Sequence, residues 1–229
     1  MFETSNIKDF NNLLRYLRLI YLEMNMIINP DGITFQGKKK GIQSSVFFDK
    51  SNFDKYNVKT EYKFGFNVNN LHKLIKLIPK NNTILFDIEE SIMGSNLVLK
   101  MDKSGYKFIF FLFEFQNIES IKISLNSHIE MNGNELQRVL KQLQRIETKP
   151  VDIEIKDNNL YMSICDSIGC LEIKKQILNA TDDVHINKYN FYNFYSNSHD
   201  KIKLYLQENK FIIQHNTNLY QLVSQYDSI

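Results

Sequence analysis

Lys8-Asp9-Phe10-Asn11-Asn12-Leu13-Leu14-Arg15-Tyr16-Leu17-Arg18-Leu19-Ile20-Tyr21, then Asn25-Met26-Ile27-Ile28, then Pro30-Asp31-Gly32 and Ile33-Thr34-Phe35-Gln36, together spell one structural unit. Phe10, Leu13, Leu14, Leu17 and Ile20 recur at helical spacing, which predicts an amphipathic helix over 8–21 with Lys8, Asn11, Arg15 and Arg18 on its opposite face. The apolar runs 25–28 and 33–36 flank a Pro-Asp-Gly turn, so a hairpin follows the helix.

The unit recurs along the chain. Over 69–78, Leu71, Leu74, Ile75 and Ile78 form an apolar stripe, His72, Lys73 and Lys76 face away, and Pro79 ends the helix. Strands are predicted at 83–87 and 96–101. Over 134–146, Leu136, Val139, Leu140, Leu143 and Ile146 point inward while Arg138, Lys141 and Arg145 point outward. Strands at 151–155 and 160–164 follow, joined by Lys156-Asp157-Asn158-Asn159. A fourth pair, 201–207 and 210–215, turns at Glu208-Asn209, and by position a helix over 188–196 precedes it. Its pattern is poor, because Phe191 and Phe194 fall off the face set by Tyr189 and Tyr192. Onsets near residues 10, 70, 134 and 188 give a period of about sixty residues, and four such units imply two similar α+β domains.

Composition narrows the function classes. The 229 residues are 43% apolar and 13% aromatic, enough for two cores of roughly 110 residues each. A net charge of +2 means that any nucleic-acid role rests on where the basic residues sit rather than on their total. Cys165 and Cys170, the two cysteines, match neither a zinc set nor a disulfide framework, so a reducing compartment is expected. The N-terminus shows no secretory pattern, and the most apolar run, 108–115, is too short to span a bilayer, so no membrane partner is expected. The five histidines are scattered and the eight glycines form no phosphate loop, which argues against an enzyme, a metal or a cofactor. Asp87, Glu89 and Glu90 read as a solvated acidic strand end rather than a cation site.

Several segments carry a resemblance. Phe2-Glu3-Thr4, the first helix and Asp31-Gly32-Ile33-Thr34-Phe35-Gln36 resemble the start of the proliferating-cell-nuclear-antigen (PCNA) family of DNA sliding clamps. Phe53-Asp54-Lys55-Tyr56 resembles the family's short aromatic segment, and the run from Gly65 through Lys76 resembles its second helix. From Tyr106 through Leu136 the family pattern continues without a gap, so the resemblance covers essentially the whole chain. Richness in Asn, Ile and Lys points to an AT-rich genome, such as that of a large DNA virus or a parasite.

The resemblance implies the DNA clamp fold, with domains at 1–116 and 131–229 joined by a connector at 117–130. It implies a non-enzymatic homotrimeric ring that encircles duplex DNA without reading sequence, helices inward, and that serves replication and repair. The implied setting is the nucleus or a viral replication compartment. The implied partners are a DNA polymerase, a clamp loader and other proteins with a short clamp-binding motif. DNA-facing positions carry over to Arg15, Arg18, Lys73, Lys76, Arg138, Lys141, Arg145 and Lys188, with Asn11 and Asn12 standing where the family often has lysine. The basic residues collect on the clear helices while Glu89, Glu90, Glu154 and Asp157 lie in strands and turns, a segregation that favours DNA against the helices.

The run 106–115 is apolar on both faces and needs covering on both sides. In the family the corresponding edge strand pairs with the next subunit, which implies Tyr106, Phe108, Phe110 and Leu112 against Leu171 and Ile173 of the 170–175 strand. A partner pocket is implied near Lys38, Ile42, Ile118, Ile121, Leu222 and Val223. The Lys38-Lys39-Lys40 run, Gln225 in place of a usual proline and the lack of an acidic tail after it depart from the family. The alternative reading is a clamp-fold protein with a non-replicative role, either a checkpoint-clamp subunit or a viral transcription factor.

Overall fold

The structure, a computed structural model, describes residues 2–79, 82–91, 94–101, 105–123, 128–144, 150–165, 169–176, 184–189, 201–207 and 210–227. Contacts divide the chain into two units that exchange short segments: Met1–Lys39, Ser45–Glu119 and Asn218–Gln221 form one, and Lys40–Ser44, Ser120–Thr217 and Leu222–Ile229 form the other. Among the described residues no helix is long and apolar enough to cross a membrane.

The first unit begins with β1 (Phe2–Thr4), α1 (Ile7–Ile20), β2 (Glu23–Asn29), β3 (Gly32–Lys39) and β4 (Ile42–Asp49). It continues through β5 (Lys55–Tyr56), β6 (Tyr62–Asn67), α2 (Val68–Lys76), β7 (Ile84–Ser91), β8 (Gly94–Met101) and β9 (Lys107–Phe111). One sheet runs β5-β1-β7-β8-β9, and β4-β3-β2-β6 run side by side in a second. The β2–β3 hairpin turns where Asn29 Oδ1 accepts from the Asp31 and Gly32 amides. The Tyr56 hydroxyl lies 2.7 Å from both the Asn29 and the Gly32 carbonyl oxygens, tying β5 to the same turn.

Aromatic rings fix how α1 lies on these sheets. Phe10 packs against Phe35 of β3 at 5.9 Å, Phe48 of β4 at 5.6 Å and Phe86 of β7 at 6.0 Å. Phe86 in turn stacks on Phe2 of β1 at 4.6 Å, so one helical side chain joins both sheets into one core. The helix ends at Tyr21, whose ring lies against Gly37, where an added Cβ would come within 2.9 Å of it. Asn67 opens α2 by accepting from the Asn70 amide at 2.9 Å, an N-cap that sequence periodicity does not reveal.

The second unit contains β10 (Ile129–Asn132), α3 (Gly133–Gln144), β11 (Val151–Lys156), β12 (Asn159–Cys165), β13 (Cys170–Gln176) and β14 (Val184–Tyr189). β15 (Lys201–Gln207), β16 (Lys210–Asn216) and β17 (Gln221–Asp227) follow. One sheet is β13-β12-β11-β14, while β10, β15, β16 and β17 neighbour one another in that order. Along β11 and β12, Val151, Ile153, Ile155, Leu160, Met162 and Ile164 are buried at every second position, and Leu136, Leu140 and Leu143 of α3 are buried in the same unit. The β11–β12 turn places Asp157 and Asn158 at φ 51° and 58°, the left-handed region that Asp and Asn tolerate best after glycine.

Three sequence expectations change here. The predicted helix over 188–196 does not begin at its first two residues. They end strand β14, whose Val184-His185-Ile186-Asn187 stretch alternates with period two and pairs with β11, Lys188 opposite Asp152 and Tyr189 opposite Val151. Residues 190–196 lie outside the described residues. His72, expected on the polar face of its helix, is buried, because the stripe that α2 buries is Val68, Leu71, His72 and Ile75 rather than one through the half-buried Leu74. That stripe has the i, i+3, i+4, i+7 spacing. The cysteines also form a disulfide, since Cys165 and Cys170 are direct cross-strand partners in the β12–β13 ladder. A sequence separation of five in a hairpin puts the two side chains on the same side of adjacent strands.

Candidate nucleic-acid interface

The polar face of α1 exposes Arg15 and Arg18, and that of α2 exposes Lys73 and Lys76. Among the described residues none of the four forms an ion pair. The two helices pack together, and the charges of Arg18, Lys76 and Arg15 reach one point between them. That point is the buried His72, whose pKa is lowered first by burial and then by these three cations. Among the described residues its Nδ1 has no hydrogen-bond partner, so that ring nitrogen is unsatisfied under a positive surface. Sequence reasoning gave His72 no role beyond the solvated face. The physical signal that could have placed it was its i+4 relation to Val68.

In the second unit, Arg138 and Lys141 are exposed on α3 and line an open polar cleft with Asn134, Gln137 and Gln142. Glu135, in the first turn of α3, is turned to an ion pair with Lys175 of β13. Its charge is therefore matched on the strand side. Arg145 lies outside the described residues, and of Lys188 only the backbone, on β14, is described.

Strands β9 and β13 are both at sheet edges. On β9 the faces differ from the expectation of an apolar run on both sides. Phe110 is 5% exposed and belongs to the core, Phe108 is half-buried, and the residues turned to solvent are Ile109 at 52% and Phe111 at 72%. Tyr106, at 64%, and Phe113, at 46%, extend the exposed apolar surface, while Leu112 is half-buried. Of the residues assigned to the subunit contact, Phe110 is thus a core residue, because an alternating strand can turn only one of Phe110 and Phe111 inward. On β13, Leu171 and Ile173 are half-buried and alternate with exposed neighbours.

The residues implied for a partner pocket are unequal in exposure. Lys38 is exposed, Ile118, Ile121 and Val223 are half-buried, and Ile42 and Leu222 are 4% and 3% exposed. Ile42 and Leu222 therefore act as core residues rather than surface anchors, because both point inward from strands that alternate. Two residues missed by sequence reasoning, Asn25 and Gly65, hold the start of the segment that carries Ile118. Asp87 and Glu89, weighed above as a cation site, pair instead with Lys100 and Lys107 across β7, β8 and β9.

No protein-family profile matches the chain. It is 25% identical over 163 residues to the DNA polymerase sliding clamp of Methanosarcina barkeri, an alignment covering 69% of this chain and 64% of that protein. It is 24% identical over 194 residues to the DNA polymerase sliding clamp of Cenarchaeum symbiosum, covering 76% and 75%. The chain thus spans about two thirds to three quarters of the length of these relatives, just under two thirds for the first. Among solved structures it superposes on a subunit of the PCNA2–PCNA3 complex from Sulfolobus tokodaii with a TM-score of 0.79 at 14% identity, over 99% of this chain and 98% of that one. On A. fulgidus PCNA, solved with the C-terminal region of FEN-1 bound, the TM-score is 0.80 at 12% identity, over 100% and 98%. The structural likeness shows a shared clamp fold across the whole chain, and the sequence is similar to those of two curated DNA polymerase sliding clamps.

Proposed function

We propose that the protein is a DNA sliding clamp, a non-enzymatic processivity factor that encircles duplex DNA and tethers replication and repair proteins to it, in the nucleus or a viral replication compartment. The observation that carries this reading is the set of exposed cations on α1, α2 and α3, Arg15, Arg18, Lys73, Lys76, Arg138 and Lys141, none ion-paired among the described residues. A sliding protein needs attraction to phosphates that is independent of sequence, and long flexible cations on helix faces supply it without reading bases. Encirclement requires more than one copy. Two edge strands, β9 with its exposed Ile109 and Phe111 and β13 with its half-buried Leu171 and Ile173, offer backbone that is unpaired among the described residues for a homotrimer built by strand pairing. The relative solved as a PCNA2–PCNA3 complex supports assembly between clamp subunits, and the one with a FEN-1 segment supports docking of short peptides from partner proteins.

The test is a salt titration of DNA binding by wild type and by the triple variant Lys76→Ala, Arg138→Ala, Lys141→Ala on two unrelated duplexes. Each lost phosphate contact should flatten the slope of log affinity against log salt by about 0.9, so by up to about 2.7 for the three in each subunit that touches DNA, equally on both duplexes. Equal slopes for the two proteins would place these residues away from DNA. A marked preference for one duplex would favour a transcription factor using the fold without sliding.

A further inference from the structure

The chain leaving β9 is tied back to the edge of β6. The Phe113 amide donates to the Gly65 carbonyl at 2.7 Å and the Gly65 amide donates to the Phe113 carbonyl at 2.9 Å, one antiparallel bridge. Three residues on, the Gln116 amide donates to Asn25 Oδ1 at 3.0 Å and Asn25 Nδ2 donates to the Gln116 carbonyl at 2.6 Å. The side-chain amide of Asn25 thus offers Gln116 the donor and acceptor that the backbone of an opposing residue on a neighbouring strand would offer.

Topology explains how a residue of β2 reaches beyond β6. Asn25 stands directly opposite Gly65 in the β2–β6 ladder, and Gly65 has no side chain to stand in the way. A Cβ at position 65 would lie 2.8 Å from the Glu114 carbonyl oxygen and 3.3 Å from Phe113 Cβ. The bare position lets the chain fold over the sheet edge onto Asn25, which is 1% exposed in a strand whose buried neighbours are Met24 and Met26. A buried amide in such a place is costly unless its groups are satisfied, and here both are spent on the backbone N–H and C=O of one residue, Gln116.

We propose that Asn25 is the positioning residue of the segment linking the two units. Its amide fixes the register of 113–118 against β6 and so sets how Ile118 is presented, with Gly65 as the gap that admits the contact. The consequence for partner binding rests on the peptide-docking reading above: affinity for a short partner peptide depends on an amide that the peptide does not touch.

The experiment measures amide hydrogen exchange on the full-length wild type, Asn25→Ala and Gly65→Ala, with titration of each by a synthetic FEN-1 C-terminal peptide. Asn25→Ala removes the clamp, while Gly65→Ala leaves Asn25 intact and obstructs the crossing, so the two test one contact from opposite sides. Exchange at Gln116 should accelerate about tenfold or more in both, while the paired amides of β2 and β3 stay protected. Peptide affinity should fall by about tenfold in both, and a core truncation elsewhere in the unit, Ile33→Val, should leave it unchanged. Unaltered exchange at Gln116 in Asn25→Ala would overturn the proposal, as would a loosened segment that binds peptide with wild-type affinity. Failure of the wild type to bind the peptide would count against the docking reading alone, and the exchange comparison would still decide the role of Asn25.

Discussion

Adjacent residues on β9 should give opposite results when altered, and this tests the assignment of that strand as a subunit edge. Phe110 is 5% exposed, so Phe110→Ala removes a ring from the core and should cost about 3–5 kcal/mol of folding stability. For a chain of this length that corresponds to a fall of about 6–20 °C in melting temperature. Phe111 is 72% exposed in the single chain, so Phe111→Asp should change the folding of an isolated copy by no more than about 0.5 kcal/mol. If β9 pairs with β13 of another copy, the same aspartate enters a drying contact with no partner charge, a penalty of several kcal/mol. Since each 1.4 kcal/mol is tenfold in affinity, association should weaken by about a hundredfold or more. Light scattering across a micromolar concentration series, beside thermal melts, reads both effects. The expected pattern is a wild-type trimer, a Phe111→Asp monomer that melts as a folded protein, and a destabilised Phe110→Ala. A Phe111→Asp variant with wild-type mass, or a wild type monomeric at micromolar concentration, would refute the reasoning.

Two further outcomes follow from buried features of the first unit. His72 has a folded pKa below its ordinary value, so the unfolded chain takes up its proton first as pH falls. The stability that the neutral imidazole contributes is present above about pH 6.5 and is lost below it, at up to about 1.4 kcal/mol per pH unit until the folded pKa is reached. His72→Leu should remove that share of the slope in urea titrations between about pH 7 and pH 5, and equal slopes for the two proteins would refute it. At Gly32 an added Cβ would lie 2.0 Å from the Phe48 carbonyl oxygen, a clash with backbone that no rotamer relieves. Gly32→Ala should therefore cost more than about 2 kcal/mol, and a wild-type urea midpoint would refute it.

The parts of the fold legible in the sequence are those where one local period governs. The first helix, expected over 8–21, spans Ile7–Ile20, and the strand pairs after it and after the third helix lie in place. Local period fails where a neighbouring element decides. His72 reads as polar until α1 is known to lie against α2, which turns the buried stripe from Leu74 towards His72. Phe108 to Phe111 read as buried on both faces because a run of four apolar residues carries no phase, and only the pairing with β8 sets Phe110 inward. Near Lys188 the count of repeats points to a helix while the local alternation points to a strand, and pairing with β11 decides for the strand. Asn25 gave no signal, since its partner lies 91 residues away and the contact depends on an absent side chain at position 65.

The distribution of charge resolves an apparent contradiction between a net charge of only +2 and the proposed attraction to a polyanion. Four lysines on strands are spent internally: Lys100 and Lys107 on Asp87 and Glu89, Lys55 on Glu3, and Lys175 on Glu135. Each such pair is worth little to stability at its exposure, on the order of 0–1 kcal/mol. Its electrostatic effect is nonetheless to cancel acidic charge on the strands, and Glu135, the acidic residue at the start of α3, is cancelled there too. Arg15, Arg18, Lys73 and Lys76 in one unit, and Arg138 and Lys141 in the other, are left with their charge uncompensated by ion pairs among the described residues. The depressed pKa of His72 records that field from inside, since three of those cations reach it. A protein so arranged can be nearly neutral and still present positive helix faces, and the attraction of those faces to phosphate falls with salt without choosing a sequence.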